Sequence, residues 1–298
     1  MKFNIITWNI NFIHDGFFKR LININKILEK EMETTHIIAL QEATLPFGDK
    51  IKELYSFLTK PNLKYFDTPL LERNNLYKNI NKISTKYKKY IFYCFDYLMN
   101  KLLLICCCLF SYLGYYHKNL YFNYPYIFFI VSFLFMPIGL GMWYFFGLLV
   151  IYDKSIKTVI KNKNIDNRII QYFDFVFNNK DVRVVNIHLP PGKKIKDKER
   201  RLKHIKKIIR LCKKKKNVII LGDFNDNEKS NIFRYMIKKG YNSVHEFLGE
   251  YVNTYPCDNP EECIDFVMIK GNIKIEKASL FGDSNASDHK GIKVTLDI

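Results

Sequence analysis

Val218-Ile219-Ile220-Leu221-Gly222-Asp223-Phe224-Asn225 is an apolar run that stops at a glycine, an acid and an amide. Four consecutive aliphatic residues closed by such a group read as a buried strand. The end of a strand delivers polar side chains to the rim of a sheet, where loops carry binding and catalytic groups. Asp223 and Asn225 stand two apart, so on an extended chain both leave the same face. The carboxylate can take a proton, and the amide can donate to an oxyanion or orient a water. Taken alone, the tetrapeptide reads equally well as an Asp/Asn turn after a strand.

The same punctuation recurs outward along the chain. Residues 3–9 alternate like a strand and end in Thr7-Trp8-Asn9; His36-Ile37-Ile38-Ala39-Leu40 is a second strand, terminated by Gln41-Glu42. Strands over 169–177 and 182–188 are joined by the turn Asn178-Asn179-Lys180-Asp181, and the second ends in His188. Residues 263–269 form an apolar strand with Asp265 inside it, where an unpaired acid is expensive. Ser287-Asp288-His289, just before a final strand over 292–296, supplies a partner. Apolar spacing predicts helices over 17–31, 51–58, 198–212 and 232–238.

Lys and Arg exceed Asp and Glu by 47 − 29 = 18, which suits an anionic partner such as nucleic acid, phospholipid headgroups or a phosphorylated small molecule. Lys, Asn and Ile are used heavily throughout, so part of this excess is a general compositional bias. Fourteen Lys/Arg fall between Lys193 and Lys216, against Asp197 and Glu199. That run reads either as a solvated helix face or as a surface for a phosphate backbone or lipid headgroups; no aromatic residue interrupts it, so a base-stacking platform is not indicated. None of the seven cysteines forms a C-x-x-C pair, so neither a zinc site nor a disulfide framework follows. The N-terminus has no secretory signal pattern, which favours a reducing compartment for the polar part.

Residues 49–90 are mixed: the helix over 51–58 leads to a Lys/Asn-rich stretch expected to be an exposed connection through Lys89, and then the composition changes. No charge occurs from Leu102 to Tyr116 or from Asn119 to Tyr152. A bilayer span needs about 20 apolar residues; the second run suffices, and the first does so if it starts near Ile91. Residues 91–146 are therefore expected to form a transmembrane helical hairpin inserted into one domain covering 1–298. Lys86, Lys88, Lys89, Lys154 and Lys157 flank the hairpin and outnumber Lys118 in its loop, which puts the catalytic domain on the cytoplasmic side of a membrane. Residues 147–152 read as a returning strand paired with 155–160, with the second span ending near Phe145.

Collected in order, the strand ends offer Asn9, Glu42, His188, Asp223, Asn225, Asp265, Asp288 and His289. Carboxylates hold a hard divalent ion, His and Asp position or deprotonate water, and amides bind phosphate oxygens, so the set suits metal-assisted phosphoryl chemistry. No Ser or Cys is placed as a nucleophile, which leaves water.

Thr7-Trp8-Asn9, Leu40-Gln41-Glu42, Gly222-Asp223-Phe224-Asn225 and Ser287-Asp288-His289 together resemble the endonuclease/exonuclease/phosphatase superfamily of deoxyribonuclease I. In wording the motifs are most similar to the 5′-tyrosyl-DNA phosphodiesterase branch. Glu262-Cys263-Ile264-Asp265 stands where inositol phosphatases carry a Trp-Cys-Asp-Arg type motif, which separates the chain from that branch. The resemblance implies an α/β fold, a four-layered α/β sandwich of two packed mixed sheets flanked by helices. It implies Asn9, Glu42 and Asp288 at a metal, Mg²⁺ or alternatively Mn²⁺, and His188, Asp223, Asn225, Asp265 and His289 as catalytic residues. Asp223 would act on water, Asn225 and His188 on the phosphate, and Asp265 would orient His289. The inserted hairpin has no counterpart in the usual fold. Three functions are compatible: a membrane-tethered, Mg-dependent nuclease or phosphodiesterase on DNA, RNA or a 5′-DNA adduct; a phospholipid phosphodiesterase of the neutral sphingomyelinase type; and an inactive membrane-anchored binding module. No protein partner is indicated.

Overall fold

Alternation along each strand assigns its side chains to one of two layers. In the computed structural model, residues 2–11, 17–44, 61–68, 147–165, 168–248 and 252–298 are described. They form β1 (Lys2–Asn9), α1 (Phe17–Met32), β2 (Ile37–Thr44), β3 (Leu63–Thr68), β4 (Gly147–Asp153), β5 (Lys161–Ile165), β6 (Arg168–Phe177), β7 (Lys180–His188), α2 (Ile195–Cys212), β8 (Asn217–Asp223), α3 (Asn231–Lys238), β9 (Asn242–Ser243), β10 (Asp265–Lys270), β11 (Lys274–Phe281) and β12 (Gly291–Asp297). One sheet has the order β11-β12-β1-β2-β4-β3 and the other β5-β6-β7-β8-β10-β9. Each is mixed: β1–β2 and β7–β8 run parallel, and their other neighbours antiparallel.

Ile219 and Leu221 point to a central core shared with Phe3, Ile5, Ile37, Val150 and Val294 of the opposite sheet. Val218 and Ile220 point the other way, onto Ile205 and Ile208 of α2 and Ile232 and Met236 of α3. Ile24 and Leu28 of α1 cover Ile6, Trp8, Ile38 and Leu40 on the outer face of the first sheet. The order is thus helix, sheet, sheet, helices, and the central strands are apolar on both faces. This is why β8 reads as a continuous apolar run rather than an alternating one.

Several sequence expectations change. Residues 147–152 do form a strand, but β4 pairs with β2 and β3, and 155–160 lie outside the strands. Asp265 is the first residue of β10, not an interior one. β3 emerges from the Lys/Asn-rich stretch that was expected to be a connection. The turn between β6 and β7 uses Asn178 and Asn179 at φ +48° and +61°, the left-handed pair that a tight hairpin requires.

The chain divides into a unit of Met1–Leu70 with Phe146–Ile298, described above, and a second unit, Leu71–Phe145. The expected helix over 51–58 and the hairpin over 91–146 lie outside the described residues. Among the described residues no helix is long and apolar enough to cross a membrane. β4 occupies the end of the uncharged run, which leaves residues 119–146 for any second span.

Candidate active site

The register of three neighbouring strands builds the first part of the site. Asp223 pairs with His188 across the parallel β7–β8 ladder and with Asp265 across the antiparallel β8–β10 ladder. The three side chains therefore leave adjacent strands toward the inner side, at the end of the sheet. From the facing sheet, Asn9 donates through Nδ2 to Asp223 Oδ2 (3.0 Å) and to Glu42 Oε1 (3.3 Å). His188 Nε2 lies 3.6 Å from both Glu42 Oε1 and Asp223 Oδ2, too far for a hydrogen bond.

Glu42 breaks the alternation. Its neighbours Ile38 and Leu40 face the outer layer, so period two would send Glu42 outward as well. Instead its backbone is left-handed, φ +51°, and the β2–β4 register shifts between Leu40 and Thr44. Such irregularities re-aim a side chain, and here the carboxylate is turned onto Asn9. Asn11 and Asn225 at the same rim also have positive φ, +40° and +50°. Gly222 is required by contact as well as by conformation: at φ +136°, an added Cβ would fall 1.9 Å from the carbonyl oxygen of Ile187.

Asp265 and His289 form the second part. Asp265 Oδ2 accepts from Thr254 Oγ1 (2.7 Å) and is 2.8 Å from His289 Nδ1. Tyr255 packs on the His289 ring at a centroid distance of 4.8 Å. Asp288 accepts from Asn11 Nδ2 at 2.8 Å, and its charge acts on both Glu42 and His289. The sequence motifs are stapled to one another here: Ser287 Oγ donates to the Asn9 carbonyl (2.7 Å) and Trp8 Nε1 to the His289 carbonyl (2.8 Å).

The two histidines differ sharply in proton affinity. Burial, with the charges of Arg168 and His289, pushes His188 well below the ordinary imidazole value. Its Nδ1 has no hydrogen-bond partner among the described residues. For His289, burial works against the charged ring, but Asp265, Asp223 and Asp288 outweigh it and raise the pKa to about 10. Asp223 is pushed up to about 7, by burial first and the Asp265 charge second. Burial also raises Glu42, opposed by Asn9 and His289 and reinforced by Asp288.

The tightest group of ligating atoms among the described residues is Asp223, Asp265 and His289, all within 4.8 Å of one another. The Asp265–His289 hydrogen bond explains that proximity without an ion. Glu42 fits a hard cation better, because among the described residues its half-buried carboxylate takes a hydrogen bond from the Asn9 amide and feels the like charge of Asp288. Asn9 Oδ1 is held by the Asn11 backbone N–H at 3.0 Å, and Asp288 stands beyond Asn11. An amide oxygen together with carboxylate oxygens is the kind of donor set a divalent ion takes.

Sequence reasoning missed the supports. Gln41 Nε2 donates to Asn186 Oδ1 (2.7 Å), Asn186 Nδ2 to Gln171 Oε1 (3.0 Å) and Gln171 Nε2 to the Leu148 carbonyl (2.9 Å). These amides, fully buried, tie the two sheets together directly beneath Glu42 and His188. Arg201, read above as one cation of a basic face, is buried: it donates to Asp226 (2.9 Å) and to the carbonyls of Pro190 (3.0 Å) and Gly192 (2.8 Å). It thus joins the loops after β7 and β8. Asn225 spends one amide N–H on the Leu189 carbonyl at 3.0 Å. Only the adjacency of Gln41 to Glu42, and of Asn186 to His188 two residues on, hinted at any of this.

The fold is shared with solved structures of low sequence identity. A Bacteroides vulgatus endonuclease/exonuclease/phosphatase superposes with a TM-score of 0.62 at 13% identity, covering 100% of this chain and 99% of that one. Humanized D. rerio TDP2 gives 0.59 at 14% identity, with 100% and 99% covered. D. rerio TDP2 complexed with single-strand DNA product gives 0.59 at 14%, with the same coverage. No curated protein sequence matches the chain. The model of the Endonuclease/Exonuclease/phosphatase family matches residues 6–289, from the first strand through His289, and the chain belongs to that family.

Proposed function

We propose that the protein is a divalent-metal-dependent phosphodiesterase that hydrolyses a phosphodiester of nucleic acid, or of a 5′-DNA adduct, with water. One observation carries the reading: Asn9, Glu42, His188 and Asp223 meet from two sheets beside a separate Asp265–His289 pair. A family relationship to phosphate-ester hydrolases and a fold shared with TDP2 bound to single-strand DNA product support it.

Asp223, with a pKa of about 7, is poised as a base near neutral pH. It takes a proton from the attacking water as the water oxygen bonds to phosphorus. His289, protonated at neutral pH, stabilises the charge that develops and gives its proton to the departing oxygen as the phosphorus–oxygen bond breaks. Asp265 fixes the ring through Nδ1 and leaves Nε2 for that task. Neutral His188 and the second amide N–H of Asn225 face phosphate oxygens. Glu42, with Asn9 and Asp288, would hold Mg²⁺ or Mn²⁺, which supplies charge neutralisation at the phosphate.

Purified protein is offered plasmid DNA, a 5′-phosphotyrosyl oligonucleotide, bis(p-nitrophenyl) phosphate and sphingomyelin, with Mg²⁺ or EDTA. Metal-dependent cleavage of the nucleic-acid substrates is expected. Turnover of sphingomyelin alone would replace the reading with a lipid phosphodiesterase, and no turnover of any ester would sink catalysis. The uncharged runs in 102–146 support a membrane tether with the catalytic domain on the cytoplasmic side. Carbonate extraction tests this: the full-length protein should stay in the pellet, and its release would remove the tether.

A further inference from the structure

A groove of about 770 Å³ lies outside the catalytic rim, between the C-terminal half of α2, with the lysines that follow it, and edge strand β5. Seven of its ten lining residues are Lys or Arg, among them Lys163, Arg183, Arg210, Lys213 and Lys214, and none is acidic. The nearby acid, Asp174, is already engaged by Arg183 (2.7 Å) and Lys215 (3.2 Å). Lys163, Arg210, Lys213 and Lys214 are exposed.

Cations at a helix C-terminus complement its macrodipole, which accounts for Arg210 and Lys213. It does not account for Lys163, which comes from a different element and faces the same concavity. Like charges brought together from two elements around a groove repel unless an anion lies between them. The floor is Ile165 and Leu211, with no aromatic among the lining residues, so the groove offers charge and width rather than a stacking surface for bases.

We infer that this groove binds the sugar-phosphate backbone of a nucleic-acid strand, independently of sequence, as a second contact beyond the catalytic rim. A concave channel fits a strand, whereas a bilayer presents a broad plane to a protein surface. The groove is also linked to the catalytic rim from both sides. β5 turns into β6 at Arg168, whose charge acts on both Glu42 and His188. α2 follows the loop after His188 and ends at the groove, and 18 residues span about 27 Å. A strand engaged at both places would therefore be several nucleotides long.

The test measures binding in EDTA, where no turnover occurs, so it stands whether or not the proposed catalysis does. A fluorescein-labelled 20-nucleotide oligodeoxythymidylate is titrated with the full chain, and anisotropy is followed at several salt concentrations. Arg210→Gln/Lys213→Gln/Lys214→Gln should weaken binding about tenfold and reduce the salt slope by about 2, near 0.7 per lost phosphate contact. Charge reversal at the same three positions should weaken it further. Lys26→Glu/Lys30→Glu on α1, exposed and away from the groove, serves as the control for net charge. Circular dichroism and melting verify that each variant is folded. Wild-type affinity and slope in both groove variants, or an equal loss in the α1 control, would overturn the inference. So would loss of binding to phosphatidylserine vesicles with oligonucleotide binding intact, which would assign the groove to a membrane.

Discussion

His289 is buried and His188 nearly so, and both lie within reach of an acid, yet one is held neutral and the other charged. His289 has a carboxylate at 2.8 Å, whose other ligand, Thr254, fixes its direction. His188 has two carboxylates at 3.6 Å, neither hydrogen-bonded to it, and an Nδ1 without a partner among the described residues. Burial costs a charged ring in either place. What separates the two is a hydrogen-bonded carboxylate at His289 and, at His188, the opposing charges of Arg168 and His289. One site thereby holds a proton donor and a neutral phosphate contact made from the same residue type.

The comparison is broken most severely by removing its charged member. His289→Ala, like Asp223→Ala, should lower kcat by about 10³-fold or more on a phosphodiester, without unfolding the protein. A loss below tenfold would remove both residues from the chemistry.

Asp265→Asn sharpens the comparison, because it leaves the ring in place and removes its counterion. The His289 pKa should fall toward that of His188, read by NMR of the imidazole, with kcat down about 10²-fold. A pH test follows with its sign. His289 is raised from 6.5 to about 10, so its contribution to stability is full below pH 6.5 and is lost as pH rises through about 10. Asp223 is raised from 3.8 to about 7, so the native state again binds more protons, and stability falls between those values as pH rises. Above pH 7, where His188 and His245, both lowered from 6.5, no longer titrate, urea midpoints in EDTA should therefore decline up to pH 10. Asp265→Asn should flatten that decline. A midpoint rising with pH over that range would contradict the assignment.

Gly222→Ala attacks the strand end that brings His188 beside Asp223. A methyl group 1.9 Å from the Ile187 carbonyl must push β7 and β8 apart, at about 2–4 kcal/mol in urea denaturation. A loss below 0.5 kcal/mol would mean that the ladder yields easily. The smallest effect belongs to Lys193 and Glu262, an exposed pair at 2.5 Å linking the loops after β7 and before β10. Lys193→Ala should leave the melting temperature unchanged, since exposed pairs contribute little.

Strands β1, β2, β4, β6, β7, β8, β10 and β12 were legible because each is packed on two faces or ends in a recognisable polar group. The four that were not legible, β3, β5, β9 and β11, are the four sheet edges. β5, Lys-Asn-Lys-Asn-Ile, has a single buried residue, so its pairing is made by backbone hydrogen bonds that leave no apolar pattern. The eight candidate residues stand out in the sequence because each lies at or near the end of an apolar run. Their supports, Arg201, Thr254 and the amides of Gln41, Asn186 and Gln171, do not. A polar residue satisfied inside a protein looks the same in sequence as one in water.

The sequence by itself determined the layer each central strand serves and the kinds of chemical group at the strand ends, because both depend on local order along the chain. Only the tertiary structure decided which of those groups meet. Register placed Asp223 between His188 and Asp265, and a left-handed residue with a register shift turned Glu42 onto Asn9 against the alternation. Those relations are set by hydrogen bonds between strands distant in sequence, and so are the surroundings that make one histidine basic and the other not.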